Sequence, residues 1–329
     1  MEEEAMKARY LIILLLMALS IVGCRRDLWV HSDNFHTVRL NVDWSAYSES
    51  DPGGMTVWFI PTDGVGQHYS YTTAQVRQAD FYLARGIYHG IVCDYSPQEF
   101  STVEFLDMDN YQKARVQLTA ERDQPEPIAL DTLKNMVISS GPYNEYIPYD
   151  ERDDYQQSLI VQHFQAKPRS LVWKLRLRIF VKGTDYLYQV HGDLAGLADG
   201  HYLARDVNTE HSRTVSIDEW TLQTTGNNEG YIAATISTFG LRPGHESHAD
   251  DLQLNLRFLL RDRTTVRTYS FDLGDHIVSF SDQQVLRVDM GSEVPDLPDL
   301  PYVEAFDGTG FDGVVTPWDD SEPPADVVM

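Results

Sequence analysis

Residues 172–183 read "VWKLRLRIFVKG". Trp173, Leu175, Leu177, Ile179 and Val181 alternate with Lys174, Arg176 and Arg178 until Gly183 ends the run. A period of two puts the apolar set on one face of a strand and the cations on the other, so this segment is a β-strand with one dry and one wet side. The same pattern recurs outward in both directions. "VRLNVDW" (38–44) sets Val38, Leu40, Val42 and Trp44 against Arg39, Asn41 and Asp43. "KARVQL" (113–118) repeats it with Ala114, Val116 and Leu118, and "DLQLNLRFLL" (251–260) with Leu252, Leu254, Leu256, Phe258 and Leu260. Turn clusters such as "SDPGG", "PTDG", "TTGNNEG" and "RPGHESH" separate the runs, and no long 3.6-period segment lies between them. The expected fold is therefore all-β, built of antiparallel β-sandwiches rather than βαβ units.

The chain has 329 residues, more than one average domain. Strand signals lapse between Glu121 and Gln157, a stretch rich in Pro, Asp and Glu that allows one short helical turn near Asp131 to Val137. The expected organisation is a leader over 1–23, a first sandwich over 24–130, a linker over 131–157, a second sandwich over 158–292 and a tail over 293–329. In that tail, "PDLPDLPY" favours extended backbone. Beyond it, Phe306, Phe311, Val314, Val315 and Trp318 stand in an acidic, glycine-rich background. A solvating tail has little use for such residues, so they are candidates for an added strand or apolar clip, with Pro317 restricting it to an edge.

The N-terminus carries a different signal. Leu11 to Val22 is almost wholly apolar but far shorter than the ~20 residues that cross a bilayer as a helix. Lys7 and Arg9 precede it, and Ile21-Val22-Gly23 leads into Cys24. That is the pattern of a bacterial lipoprotein signal, cleaved between Gly23 and Cys24 with the lipid on Cys24. The acidic "MEEEA" in front suggests that translation starts at Met6. A signal anchor with an incidental cysteine is the competing reading. The only other cysteine is Cys93, so an acylated Cys24 leaves no intrachain disulfide; Cys93 itself reads as a small buried core residue.

With 50 acidic against 26 basic residues the net charge is −24, which argues against nucleic acid and against an anionic lipid surface as partners of the protein body. Membrane contact is then expected through the N-terminal lipid alone. The chain contains no G-x-S-x-G, H-E-x-x-H, Walker-type loop or paired C-x-x-C. "HESHADD" (245–251) fits no metal-ligand spacing and reads as a solvated loop; "DMDN" at Asp107 lacks the glycine and final carboxylate of an EF-hand. Gly64-x-Gly66 is a lone turn pair, and Asp153-Asp154 lacks an identifiable partner for acid–base work. No catalytic residue, metal or cofactor is expected. Trp44, Trp58 and Trp173 share faces with aliphatic residues and read as core, leaving few rings for a sugar-stacking platform. The row Lys174, Arg176 and Arg178 reads as a solvated strand face or, alternatively, as a docking face for an acidic subunit.

The lipobox leading into "CRRDLW" (24–29), "VRLNVDWSAYSESDPGGMTVWFIPTDG" (38–64), "LARGIYHGIVCDY" (83–95), "LVWKLRLRIFVKG" (171–183), "GDLAGLADG" (192–200), "RTYSFDLGDHI" (267–277) and "GFDGVVTPWDD" (310–320) together resemble the fimbrium-anchor, or minor fimbrial subunit, lipoproteins of Bacteroides-type bacteria. The resemblance implies two tandem transthyretin-like, Greek-key sandwiches, lipidated at Cys24, tethered to the outer membrane and holding the base of a fimbrium. Fimbrial subunits are the implied partners and no chemistry is required. Arg25-Arg26 depart from the acidic residues that surface lipoproteins of such bacteria carry after the cysteine, which bears on the leaflet reached. A surface glycan-binding lipoprotein of the same architecture is the alternative; coplanar exposed rings over a concave face would favour it.

Overall fold

A computed structural model describes residues 35–47, 52–139, 162–244, 252–281 and 283–306. In chain order the strands begin with β1 (Phe35–Val42), β2 (Met55–Pro61), β3 (Tyr69–Thr73), β4 (Gln78–Ala84), β5 (Gly86–Asp94), β6 (Val103–Leu106), β7 (Arg115–Leu118), β8 (Ala129–Ile138), β9 (Gln162–Ala166) and β10 (Arg169–Ser170). They continue with β11 (Trp173–Lys182), β12 (Leu187–Ala198), β13 (Gly200–Tyr202), β14 (Val207–Asn208), β15 (Ser212–Ile217), β16 (Thr221–Gly226), β17 (Glu229–Thr238), β18 (Gln253–Leu260), β19 (Val266–Asp272), β20 (Ile277–Phe280) and β21 (Val285–Met290). Among the described residues the only helices are short 3₁₀ turns, so the chain is all-β.

The first unit comprises residues 1–99, 107–114 and 128–170. Its sheets run β4-β1-β9 and β10-β8-β5-β2-β3. The face of β1 expected to be dry is dry: Val38 and Leu40 are fully buried, and Trp44 just beyond is buried too. They meet Phe81 and Leu83 of β4 and, from the other sheet, Val57, Phe59, Val92 and Met136. On the wet face Arg39 makes a two-pronged ion pair with Asp80 across β1 and β4, both bonds 2.7 Å. Trp58 and Cys93 are buried as expected.

The second unit comprises residues 100–106, 115–127 and 171–329. Sheets β16-β17-β11-β21-β20 and β15-β12-β18-β19 enclose the alternating residues of β11 and β18, with Leu175, Ile179, Val181, Leu254, Leu256, Phe258 and Leu260 all at zero exposure. Trp173 is only half-buried, at the margin of that core. A small sheet β14-β13-β7-β6 completes the unit. There a Cβ on Gly200 would lie 2.5 Å from the Val116 carbonyl, so only glycine lets β13 approach β7 this closely.

The structure differs from the sequence-based expectation in three respects. The segment read as linker with a helical turn, from Asp131 to Val137, lies inside β8. Strands β6 and β7, expected in the first sandwich, belong to the second unit. The sheets are also not purely antiparallel, because β1 pairs in parallel with β9 and β11 with β21. Parallel neighbours need a long crossover, and in each unit the intervening strands supply it.

Asp94, at the end of β5, is fully buried and accepts a hydrogen bond from the Ala129 N–H at 2.9 Å. Burial pushes its carboxyl up to about 6, against smaller opposing contributions from the Ala129 N–H and the Tyr47 hydroxyl. A folded carboxyl that titrates above its unfolded value holds a proton the unfolded chain releases. It therefore lowers stability as pH rises from about 4 to about 6. Asp94→Asn keeps an acceptor for Ala129 and removes that titration. Denaturant unfolding should find the variant more stable by about 2–3 kcal/mol at pH 7.5, shrinking to near zero at pH 4. Equal differences at the two pH values would contradict the raised carboxyl.

Candidate functional site

The cation row predicted from β11 does face outward. By register, Arg176 sits beside Arg287 of β21, and Arg178 beside Asp289. Like charges at neighbouring strand positions repel unless a counter-charge intervenes. Asp289 is the counter-charge present: its carboxylate lies 3.2 Å from Arg178 and 2.7 Å from Arg287. Arg178 also stacks over the Tyr231 ring, 3.5 Å from its centroid. Lys174 donates to the Ser237 hydroxyl at 3.1 Å. Arg176 pairs with no carboxylate among the described residues.

These side chains border an open groove of about 410 Å³. Its accessible apolar lining comes from Ala233, Phe280 and Val285. Phe280 lies on the edge strand β20, where Val278 is also exposed. The opposite edge of the same sheet, β16, is exposed along its whole length. Three arginines, two of them sharing one aspartate, leave a local excess of positive charge beside apolar surface in a chain of net charge −24. Such a surface suits an acidic segment carrying an apolar side chain. It has no nucleophile or general base positioned for chemistry, and no group of three metal-ligating side chains occurs among the described residues.

A second feature is the C-terminal segment. The residues expected to be extended pack on the second unit's core. Lys182 N–H donates to the Pro298 carbonyl at 2.9 Å, and Leu300 N–H donates back to the Lys182 carbonyl at 3.0 Å, a parallel bridge through Asp299. The Tyr269 hydroxyl donates to the Asp299 carbonyl and accepts from its N–H. Leu300 is buried at 2% exposure, and Val294, Leu297 and Val303 pack against the same core. These apolar residues recur every third position, the spacing that puts side chains on one face of polyproline II backbone. Asp296, at φ 57°, interrupts the run after its first member.

Of the residues marked for docking, Phe306 is described. Its N–H donates to the Arg261 carbonyl at 3.1 Å and Arg263 stands 5.4 Å from its ring centroid, while the ring stays exposed at 43%. Phe311, Val314, Val315 and Trp318 lie outside the described residues, as do Gly23, Cys24, Trp29, Asp153-Asp154 and the "HESHADD" loop. The groove residues Arg287, Phe280 and Val285 were not singled out in the sequence. Phe280 pairs locally with Val285 in a hairpin, but the β11 neighbours of Val285 and Arg287 are more than a hundred positions away, and no local pattern announces that pairing.

A family model described as "Domain of unknown function (DUF5119)" matches residues 23–218. Among curated proteins, one from Bacteroides ovatus, named as an inferred fimbrium anchoring subunit, Fim4B, is 22% identical over 194 residues. The match covers 59% of this chain and 55% of that protein, so it spans about half the relative's length. It bears out the resemblance to fimbrium anchors carried by the sequence. Among solved structures, that of an inferred adhesin from Bacteroides ovatus aligns with TM-score 0.58 at 16% identity, covering 85% of this chain and 97% of that one. The likeness shows the fold. The fimbrial anchor protein Mfa2 from Porphyromonas gingivalis aligns with TM-score 0.45 at 12% identity, over 79% of this chain and 92% of that one.

Proposed function

This chain belongs to the DUF5119 family, and from that membership, the anchor-named relative and the docking surfaces of the second unit we propose that it is a lipid-tethered outer-membrane protein that anchors or assembles a fimbrium without catalysing a reaction. Cys24 carries the lipid after cleavage at Gly23. The observation that carries the reading is the second unit's basic, apolar-lined groove, flanked in the same sheet by exposed edges. An acidic fimbrial subunit docks there, its carboxylates meeting Arg176 and Arg287 and its backbone extending an edge. Residues 294–303 pack on the second core and leave the sheet edges open, so the tail residues Phe311, Val314, Val315 and Trp318, together with the exposed ring of Phe306, serve the partner.

Charge reversal tests the groove. Arg176→Glu with Arg287→Glu changes exposed side chains and leaves the core intact, so thermal unfolding should stay close to that of the parent. Affinity for the fimbrial subunit should fall by at least about tenfold and its salt dependence should invert, because attraction to an acidic partner becomes repulsion that salt screens. Unchanged affinity would place docking elsewhere.

The glycan-binding alternative gains nothing from the aromatic residues. Of two stacked pairs among the described residues, Tyr69 and Tyr71 at 6° are half-buried against the first core, and His89 and Tyr111 at 13° include a buried Tyr111. Trp44 and Trp58 are buried, and the Trp220 indole N–H is taken by the Ile217 carbonyl at 2.8 Å.

A further inference from the structure

Each unit sets one strand in parallel beside a strand close to its own exit: β1, the first described strand, in the first unit, and β11, where the chain enters the second unit for the last time, in the second. In the first unit five residues of β1, Val38 to Val42, pair with Gln162 to Ala166 of β9, and the Asp43 N–H extends the run to the Ala166 carbonyl. In the second unit six residues of β11, Lys174 to Ile179, pair with Val285 to Met290 of β21. The Lys182–Asp299 bridge then prolongs the parallel contact toward the C-terminus. In both, the other neighbour of the entering strand is antiparallel: β4 beside β1, β17 beside β11.

Strand direction determines how a pull is shared. When a chain is drawn by the start of one strand and the end of its parallel neighbour, the two strands slide past each other. The hydrogen bonds then lie across the force and must yield together. When the drawn ends are adjacent, as in an antiparallel pair, the bonds open one at a time and each resists alone. We infer that both units are shear clamps, which carry tension along the chain from the N-terminal side to the C-terminal side at much higher load than a peeled sheet of the same stability. That such tension acts on the chain rests on the proposed anchoring; the clamp geometry rests on strand register alone. The C-terminal clip lengthens the second clamp at the end where load leaves.

Single-molecule pulling on the chain from Arg25 onward tests this. One attachment is the N-terminus; the other is either the C-terminus or a thiol introduced by Arg85→Cys at an exposed position just past β4. Cys93 does not compete for the label, because it is fully buried and burial pushes its thiol well up. Drawing the N-terminus against residue 85 peels β1 from β4, where Phe35 faces Ala84. The expected result is a first-unit rupture force at least about twofold higher in the end-to-end geometry, since forced unfolding reports the barrier rather than equilibrium stability. Equal or lower force end to end would overturn the clamp. As a second measure, Gln162→Pro and Phe164→Pro on β9, whose N–H groups face β1 by the alternation that the Asp43–Ala166 bond fixes, should lower the end-to-end force and leave the peeling force unchanged; if neither variant folds, the comparison of geometries still decides. The two readings fail separately. Fimbriae that stay attached without this protein would refute anchoring and leave the force ratio standing, whereas equal forces would refute the clamp even if fimbriae are lost.

Discussion

Cys24→Ala should move the protein out of the membrane fraction almost completely. A body of net charge −24 has no electrostatic attraction to anionic lipid, and no helix among the described residues is long and apolar enough to cross a bilayer. The proposed acylation of Cys24 would then supply the hold, and stable attachment requires more than one acyl chain. Without the thiol no lipid is added. Signal cleavage, which follows lipidation, should fail as well, leaving a precursor longer by the 1–23 leader. Detergent phase partition with intact-mass measurement reads both effects. A variant that partitions with detergent as fully as the parent would show that something other than this lipid holds the protein.

The second large effect concerns the C-terminal clip. Gly183 has φ +78°, and a Cβ placed on it would lie 2.2 Å from the Leu300 carbonyl oxygen. Gly183→Ala therefore combines left-handed strain with eviction of the clip. Leu300→Ala removes a side chain buried to 2% exposure and should cost about 2–4 kcal/mol by loss of burial and the cavity left behind. Ending the chain at Ser292 removes Val294, Leu297, Leu300 and Val303 together and should cost more than either substitution. Gly183→Ala should then be several-fold milder in the shortened chain than in the full one, because residues that share a contact do not act additively. A chain ending at Phe306 should keep the parent's unfolding temperature and lose subunit association. Denaturation of these five forms separates an internal clip from a segment that merely lies alongside: in the latter case Leu300→Ala would cost nothing.

How far such features can be read from sequence depends on whether the controlling contact is local. The alternation in β1, β11 and β18 comes from each strand having one dry face, and the buried residues are the ones the pattern marks. In β8 the alternation breaks. Its register against β5 shifts between Tyr88 and Gly90, where Leu133 to Met136 accommodate an extra residue and Asn135 takes φ 54°. That bulge moves the apolar positions off a period of two and leaves Leu133 and Val137 at a helical spacing. Edge strand β16 gives no signal because all of it is exposed. The extended backbone of the clip follows from its prolines, and its packing on the core follows from the threefold spacing of Val294, Leu297, Leu300 and Val303. The parallel pairings and the sheet membership of β6 and β7 depend on partners far along the chain, and the groove inherits that invisibility because β21 supplies half of it.

Anchoring itself is tested by deleting the gene in the native bacterium and imaging the cells by electron microscopy, with the parent and Cys24→Ala chains restored in separate strains. Fimbriae should be absent or shed into the medium in the deletion strain and in the Cys24→Ala strain, and return to the cell surface only with the parent chain. Fimbriae attached to the deletion strain in normal number would contradict the anchoring role.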